Sequence, residues 1–262
     1  MFNPEPRGWG EAQRVNQGDD AADWHLLQGA SVATAAARTF VRKAIGTTDF
    51  TLLEATPGAA RRTAVLELIL QAVARGQKLL VVAADATELD DLLATGAALP
   101  AWADQIAAVR LTDPCEPTAA AAQALDLDRQ AARLTESVAP LSRGRRPREV
   151  ASSLLLETCN LVGAPLAALG AHPLFRPAAL SRDPADFDQL ILLGAERIGL
   201  ADFLVPAVHA RRWILVADPR PEAADADLSE LAEQIAVEAS RARLLDELQA
   251  ELAFKACVGK DG

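Results

Sequence analysis

Residues 54–63 read EATPGAARRT and lie between an apolar run, FTLLEA, and a helix-favouring run, RRTAVLELILQAVARG. A loop that leaves a strand and opens a helix points backbone N–H groups at whatever sits before the helix, a setting that favours an anion. In the standard phosphate-binding pattern, G-x-x-x-x-G-K-[ST], the glycines let the backbone approach the phosphates, the lysine meets their charge and the hydroxyl ligates magnesium. The same register here puts Ala55 and Ala60 at the glycines, Arg61 at the lysine and Arg62 at the hydroxyl. Gly58, Ala59, Ala60, Arg61, Arg62 and Thr63 are therefore the candidate nucleotide or anion site. Arg61 keeps the charge but carries it on a wide planar head, and Arg62 stands where a metal ligand would be. Any nucleotide, ATP or another, would be met by two guanidiniums without magnesium.

Other side chains with chemical capacity are sparse. The one dense basic run, SRGRRPRE, contains Arg143, Arg145, Arg146 and Arg148, and has no aromatic residue on which a base could stack. It reads as a solvated loop, or as a contact for nucleic acid or an acidic partner. The chain holds 26 basic and 36 acidic residues, a formal charge of −10 that repels a phosphate backbone on average. His25, His172 and His209 are widely spaced in sequence, as are Cys115, Cys159 and Cys257. No H-x-x-x-H or C-x-x-C pair accompanies them, so neither a metal site nor a disulfide framework is expected. No serine sits in a G-x-S-x-G setting. Glu196 is a conceivable general base, but no acidic metal ligand stands beside it.

The elements that must position these residues follow from periodicity. Short runs rich in Leu, Ile and Val alternate with Ala-rich, helix-favouring stretches, the pattern of a parallel sheet covered by helices. A helix is predicted from about Ser31 to Ile45, then strand FTLLEA, the helix after the loop, strand KLLVVAA and helix ATELDDLLATG. A strand around IAAVRL, a helix from Pro117 to Val138, the basic loop and the apolar segment SLLLETC come next. Strand FDQLILL, a short helix near Ala201 to Val208 and strand RRWILVAD complete the series. Three regions result: a polar extension (1–28), an α/β domain (29–222) with a helical insertion and basic loop at 114–150, and a C-terminal helix and tail (223–262). In the last, Leu228, Leu231, Ile235, Ala239, Ala242, Leu245, Leu248 and Leu252 recur at steps of three and four. This stripe packs on its own domain or, through Leu231, Ile235, Leu245, Leu248 and Leu252, meets a partner helix. The apolar runs are too short to span a bilayer, and the first residues lack the apolar core of a secretory signal. A reducing cytoplasm and no membrane contact are expected.

Five ordered segments within residues 31–221 resemble the first RecA-like lobe of superfamily 1 helicases, the branch of up-frameshift and senataxin-type enzymes. DFTLLEATPGAARRTAVLELILQAVARGQKLLVVAADATELDDLL is similar to that family's phosphate loop, its helix and its second strand. AAVRLTDP, LETCNLVGAPL, FDQLILLGAE and ARRWILVADPRP follow in the family's order. The resemblance implies a three-layer RecA-like P-loop fold with a mostly parallel sheet. It also implies lost chemistry. The family's magnesium-binding Asp and catalytic Glu, which carry phosphoryl transfer, fall on Leu193 and Gly194. Its γ-phosphate-sensing Gln falls on Pro221 and its adenine-contacting Gln near Ala37. Ala84, Asp85 and Ala86 replace residues that help hold single-stranded nucleic acid. Asp218, Pro219, Gly58, Thr63, Asp90 and Arg110 are retained. The 114–150 insertion is too short for the family's small barrel and leaves room for stalk helices.

The expectation is a catalytically inactive helicase-like domain that acts as a scaffold or regulatory subunit with a protein partner, with no required cofactor. Its contact surfaces would be the C-terminal helix and the former nucleotide cleft. Nucleotide binding without hydrolysis is the first alternative, and a nucleic-acid-binding accessory protein the second.

Overall fold

Five apolar runs and one short segment form six strands: β1 (Phe50–Glu54), β2 (Leu79–Ala83), β3 (Ala108–Arg110), β4 (Leu161–Pro165), β5 (Gln189–Leu193) and β6 (Trp213–Ala217). The computed structural model describes residues 24–29, 31–112, 118–142, 146–172, 175 and 187–219. The chain divides into two units, Met1–Asp218 and Pro219–Gly262, and all the described residues but Pro219 belong to the first. Pro221, Arg143, Arg145 and the stripe from Leu228 to Leu252 lie outside the described residues.

The strands form one sheet in the order β1-β6-β5-β2-β4-β3, and every pairing among them is parallel. The fold is the expected α/β, three-layer RecA-like architecture. Alternation along each strand separates two faces. Leu79, Val81, Leu161, Ile191, Leu193, Ile214 and Val216 share one core with α1 (Val32–Gly46), α2 (Ala59–Ala74), α3 (Ala86–Ala97) and α4 (Pro100–Gln105). On the other side α7 (Leu166–Ala171) contacts α8 (Leu200–Ala207), which sets Phe203 edge-on to Trp213 at 5.3 Å. Strands β2, β4 and β5 are buried at every position, as helices on both faces require.

Several boundaries differ from the sequence reading. The helix expected from Pro117 begins at Leu127 as α5 (Leu127–Val138). Asp126 accepts from Thr112 Oγ1 at 3.3 Å and Thr118 Oγ1 at 2.8 Å, and these side-chain bonds hold the preceding turn out of the helix. The apolar SLLLETC is the end of α6 (Pro147–Thr158), opened by a proline in its first turn, where no N–H is needed. The last three residues of the expected basic run, Pro147, Arg148 and Glu149, are thus helix. α5 and α6 pack together through Ala131, Val138 and Ala151; α5 lies within the expected insertion, whereas α6 runs past its expected end at residue 150 to Thr158. The last residues of the polar extension are also held fast. Leu27 is buried, and the buried carboxylate of Glu67 on α2 accepts from the N–H groups of His25 at 3.2 Å and Leu26 at 2.6 Å.

One buried ion pair ties α3 to β3. Arg110 is fully buried and donates from Nε to Asp90 Oδ1 at 2.5 Å, while Asp90 Oδ2 accepts from Ala119 N at 2.7 Å. Removing one member of such a pair strands a charge away from water. Asp90→Ala is expected to lower unfolding free energy by about 3 kcal/mol in urea titration. Adding Arg110→Met to it is expected to recover part of that loss.

Candidate functional site

The parallel register brings the C-terminal ends of β1, β6, β5 and β2 to one edge, with Glu54 beside Ala217, Val216 beside Leu193 and Leu193 beside Ala83. In an open α/β sheet this edge is where ligands are met. The 54–63 loop leaves β1 here and enters α2 through Gly58. That residue adopts φ 154°, a conformation L side chains rarely take.

The loop's side chains are already engaged. Arg61 is almost fully buried, and its guanidinium donates to the carboxylate of Asp218 at the end of β6 and to Glu88 Oε1 on α3 at 2.5 Å. It also donates to the loop's own Ala55 carbonyl at 3.1 Å. A phosphate cradle turns N–H groups inward. This loop turns a carbonyl inward, toward a cation.

The interactions close into a ring. Glu88 accepts a second guanidinium through Arg197 Nη2 at 3.0 Å. Arg197 lies 3.2 Å from Glu196 Oε1, and Glu196 Oε2 accepts from the Asp218 N–H at 3.1 Å. Asp218 returns to Arg61. α2, α3, the 3-10 turn after β5 and the end of β6 are thus linked by charges that alternate from Arg61 to Glu196 and by a backbone N–H that carries the link on to Asp218. The cleft they border has a volume of about 360 Å³. Its lining includes Asp85, Glu88, Asp91 and Asp218 against Arg61, Arg62 and Arg197, four formal negative charges against three positive.

The other expected loop residues have separate duties. Arg62 turns toward α3, reaching Asp91 Oδ2 at 3.4 Å and Thr95 Oγ1 at 3.5 Å. Thr63 Oγ1 donates to the Ala59 carbonyl at 2.8 Å, a bond within its own helix. Ala59 and Ala60 form the exposed first turn of α2. At the end of β5, Leu193 is buried, and Gly194 has φ 68°. A Cβ on Gly194 would stand 2.5 Å from Arg197 Nη2, so the missing side chain is what lets the guanidinium lie there.

Of the basic cluster, Arg148 on α6 pairs with Asp128 on α5 at 3.1 Å, and Arg146 with Glu149 at 3.5 Å. Both pairs are exposed and so only weakly stabilising. The histidines, widely spaced in sequence, come partly together. His209 and His172 both meet the Phe175 ring, with centroids at 4.8 and 6.2 Å. No metal-holding group of His, Cys, Asp or Glu occurs among the described residues. Burial pushes the Cys159 thiol up, partly opposed by the charge of Lys78, so the net effect disfavours the nucleophilic thiolate.

Sequence reasoning missed Glu88, Arg197 and Asp85 as site residues. The available signal was D-x-x-E at Asp85 and Glu88, which reads as a helix-start box. Asp85 does cap α3, accepting from Thr87 N at 2.8 Å, but Glu88 turns across the cleft instead of back to its own helix. Only the fold places its two arginine partners within reach.

No model of a known protein family matches this chain, and no curated protein sequence matches it. Its chemistry must be read from the site. At the end of β5 Leu193 and Gly194 offer no carboxylate, and the Arg61 charge is satisfied within the chain by Glu88 and Asp218.

Arg61→Ala leaves Asp218 without its guanidinium and Glu88 with Arg197 alone. It is expected to cost about 2 kcal/mol in urea unfolding. Arg61→Lys is expected to recover only part, since an ammonium lacks the planar fork that reaches two carboxylates and a carbonyl at once. A double-mutant cycle between Arg61→Ala and Glu88→Ala should give a coupling of about 1 to 2 kcal/mol.

Proposed function

We propose that this protein is a catalytically inactive, helicase-like P-loop domain that works as a scaffold or regulatory subunit through protein–protein contacts. The observation that carries the proposal is the closed ring of Arg61, Glu88, Arg197, Glu196 and Asp218 across the cleft. A nucleotide phosphate entering there would have to displace carboxylates from both arginines and accept their repulsion. The substitutions at Leu193 and Gly194 support the same reading, since neither binds a metal nor activates water. The sheet remains fully built, with β2, β4 and β5 buried throughout, so the architecture is kept while the catalytic side chains are absent. A protein partner suits a chain of formal charge −10 better than a nucleic acid does. The proposed setting is the reducing cytoplasm, with Cys159 a free buried thiol. Among the described residues no helix is long and apolar enough to cross a membrane.

Calorimetry with ATP, ADP and GTP, each with and without magnesium, is expected to show no binding heat, and a phosphate-release assay no turnover above a buffer control. Turnover that disappears in Arg61→Ala would overturn the reading. Binding heat without turnover would favour a nucleotide-binding role, with Arg62 and Arg197, the more exposed of the cleft arginines, as its ligands.

A further inference from the structure

The edge of the sheet carries an observation that the cleft does not explain. In a parallel sheet both faces are normally covered, yet β1 alternates between exposed and half-buried residues, and Phe50 and Leu52 are each 40% exposed. Register shows which face they occupy. Thr51 and Leu53 lie beside Ile214 and Val216, which belong to the core under α1 to α4. Phe50 and Leu52 therefore lie on the opposite face, beside Trp213 and Leu215. α8 covers Trp213, taking its indole N–H at the Ala207 carbonyl, and leaves the outer two side chains open.

β1 is also the end of the sheet, with β6 on one side and no described strand on the other. Asp49 O accepts from Trp213 N and Ala55 N donates to Ala217 O. In a ladder the direction of these groups alternates, so the odd-numbered residues face β6 and the N–H and C=O groups of Phe50, Leu52 and Glu54 face outward. Thr47 Oγ1 takes one lone pair of the Phe50 carbonyl at 3.1 Å and leaves the second. The usual guards of an edge are absent from FTLLE: it has no lysine, no proline and no bulge.

We propose that β1 pairs antiparallel with β1 of a second copy of this chain, about a two-fold axis through Leu52, joining the two six-stranded sheets into one. Only pairing centred on Leu52, the middle residue, overlaps the whole of FTLLE with its counterpart. It places the outward-facing groups of Leu52 against each other and those of Phe50 against Glu54, which is a hydrogen-bonded register. The charges are compatible, because Glu54 stands opposite Phe50 and Asp49 opposite Ala55, with no like charges facing. Phe50 and Leu52 of both copies then form one continuous apolar strip, in the isologous manner of a two-fold dimer. The inference stands apart from the reading of the cleft, and either can fail alone.

Sedimentation velocity of the full chain is expected to give twice the mass of one chain. Leu52→Lys, a change on an exposed side chain, is expected to give a monomer with an unchanged circular-dichroism spectrum. Opposed residues in such a register have Cα atoms about 5.5 Å apart, within disulfide reach. Leu52→Cys should therefore form a reducible covalent dimer on mild oxidation that neither the unsubstituted chain nor Thr51→Cys forms. A monomeric unsubstituted chain, or a dimer that persists in Leu52→Lys, overturns the proposal. So does a Leu52→Cys thiol that reacts slowly with maleimide in a monomer, since another strand would then hold the edge.

Discussion

A positive charge buried at the mouth of a parallel sheet needs a partner, and the rest of this cleft is arranged around meeting that need. Arg61 enters on the first turn of α2, directly after the loop from β1, and is almost fully buried. An unpaired guanidinium there would cost several kcal/mol. Glu88 and Asp218 supply the opposite charge from α3 and the end of β6, and Arg197 and Glu196 fix those two in turn. The result holds four elements in mutual register at the edge of the sheet where an open α/β fold presents its ligand site. Gly194, by having no side chain, leaves Arg197 the room it needs.

That economy of charge has a functional side. A phosphate loop works because its cation and its backbone donors are left unsatisfied by the protein, so the ligand completes them. Here the protein completes the cation itself, and the loop contributes a carbonyl through Ala55. Arg61 and its two carboxylate partners act as internal cross-links. Arg62, drawn toward Asp91 and Thr95, extends the cross-linking along α3. The lining of such a cleft is close to neutral, with four formal negative charges against three positive.

Much of the fold was legible because burial imposes simple patterns. LLVVA, QLILL and WILVA read as strands of a covered sheet, and the loop between β1 and α2 followed from their order. Where side chains compete with the backbone the reading failed. Asp126 delayed α5 through bonds to Thr112 and Thr118, and Glu67 drew residues of the polar extension onto α2. Those bonds join residues distant in the chain, and nothing in local periodicity records them.

The sequence by itself determined the alternation of strands and helices, the position of the arginine-bearing loop and the lack of a carboxylate at Leu193 and Gly194. Each is a matter of residue type in a local pattern. Tertiary structure alone decided what the arginines do, because Glu88 and Asp218 lie 27 and 157 residues from Arg61. It likewise decided that β1 would be the edge, since strand order depends on which crossovers the helices make. Electrostatic partnership and edge exposure are properties of neighbours in space, set only when the sheet closes its register.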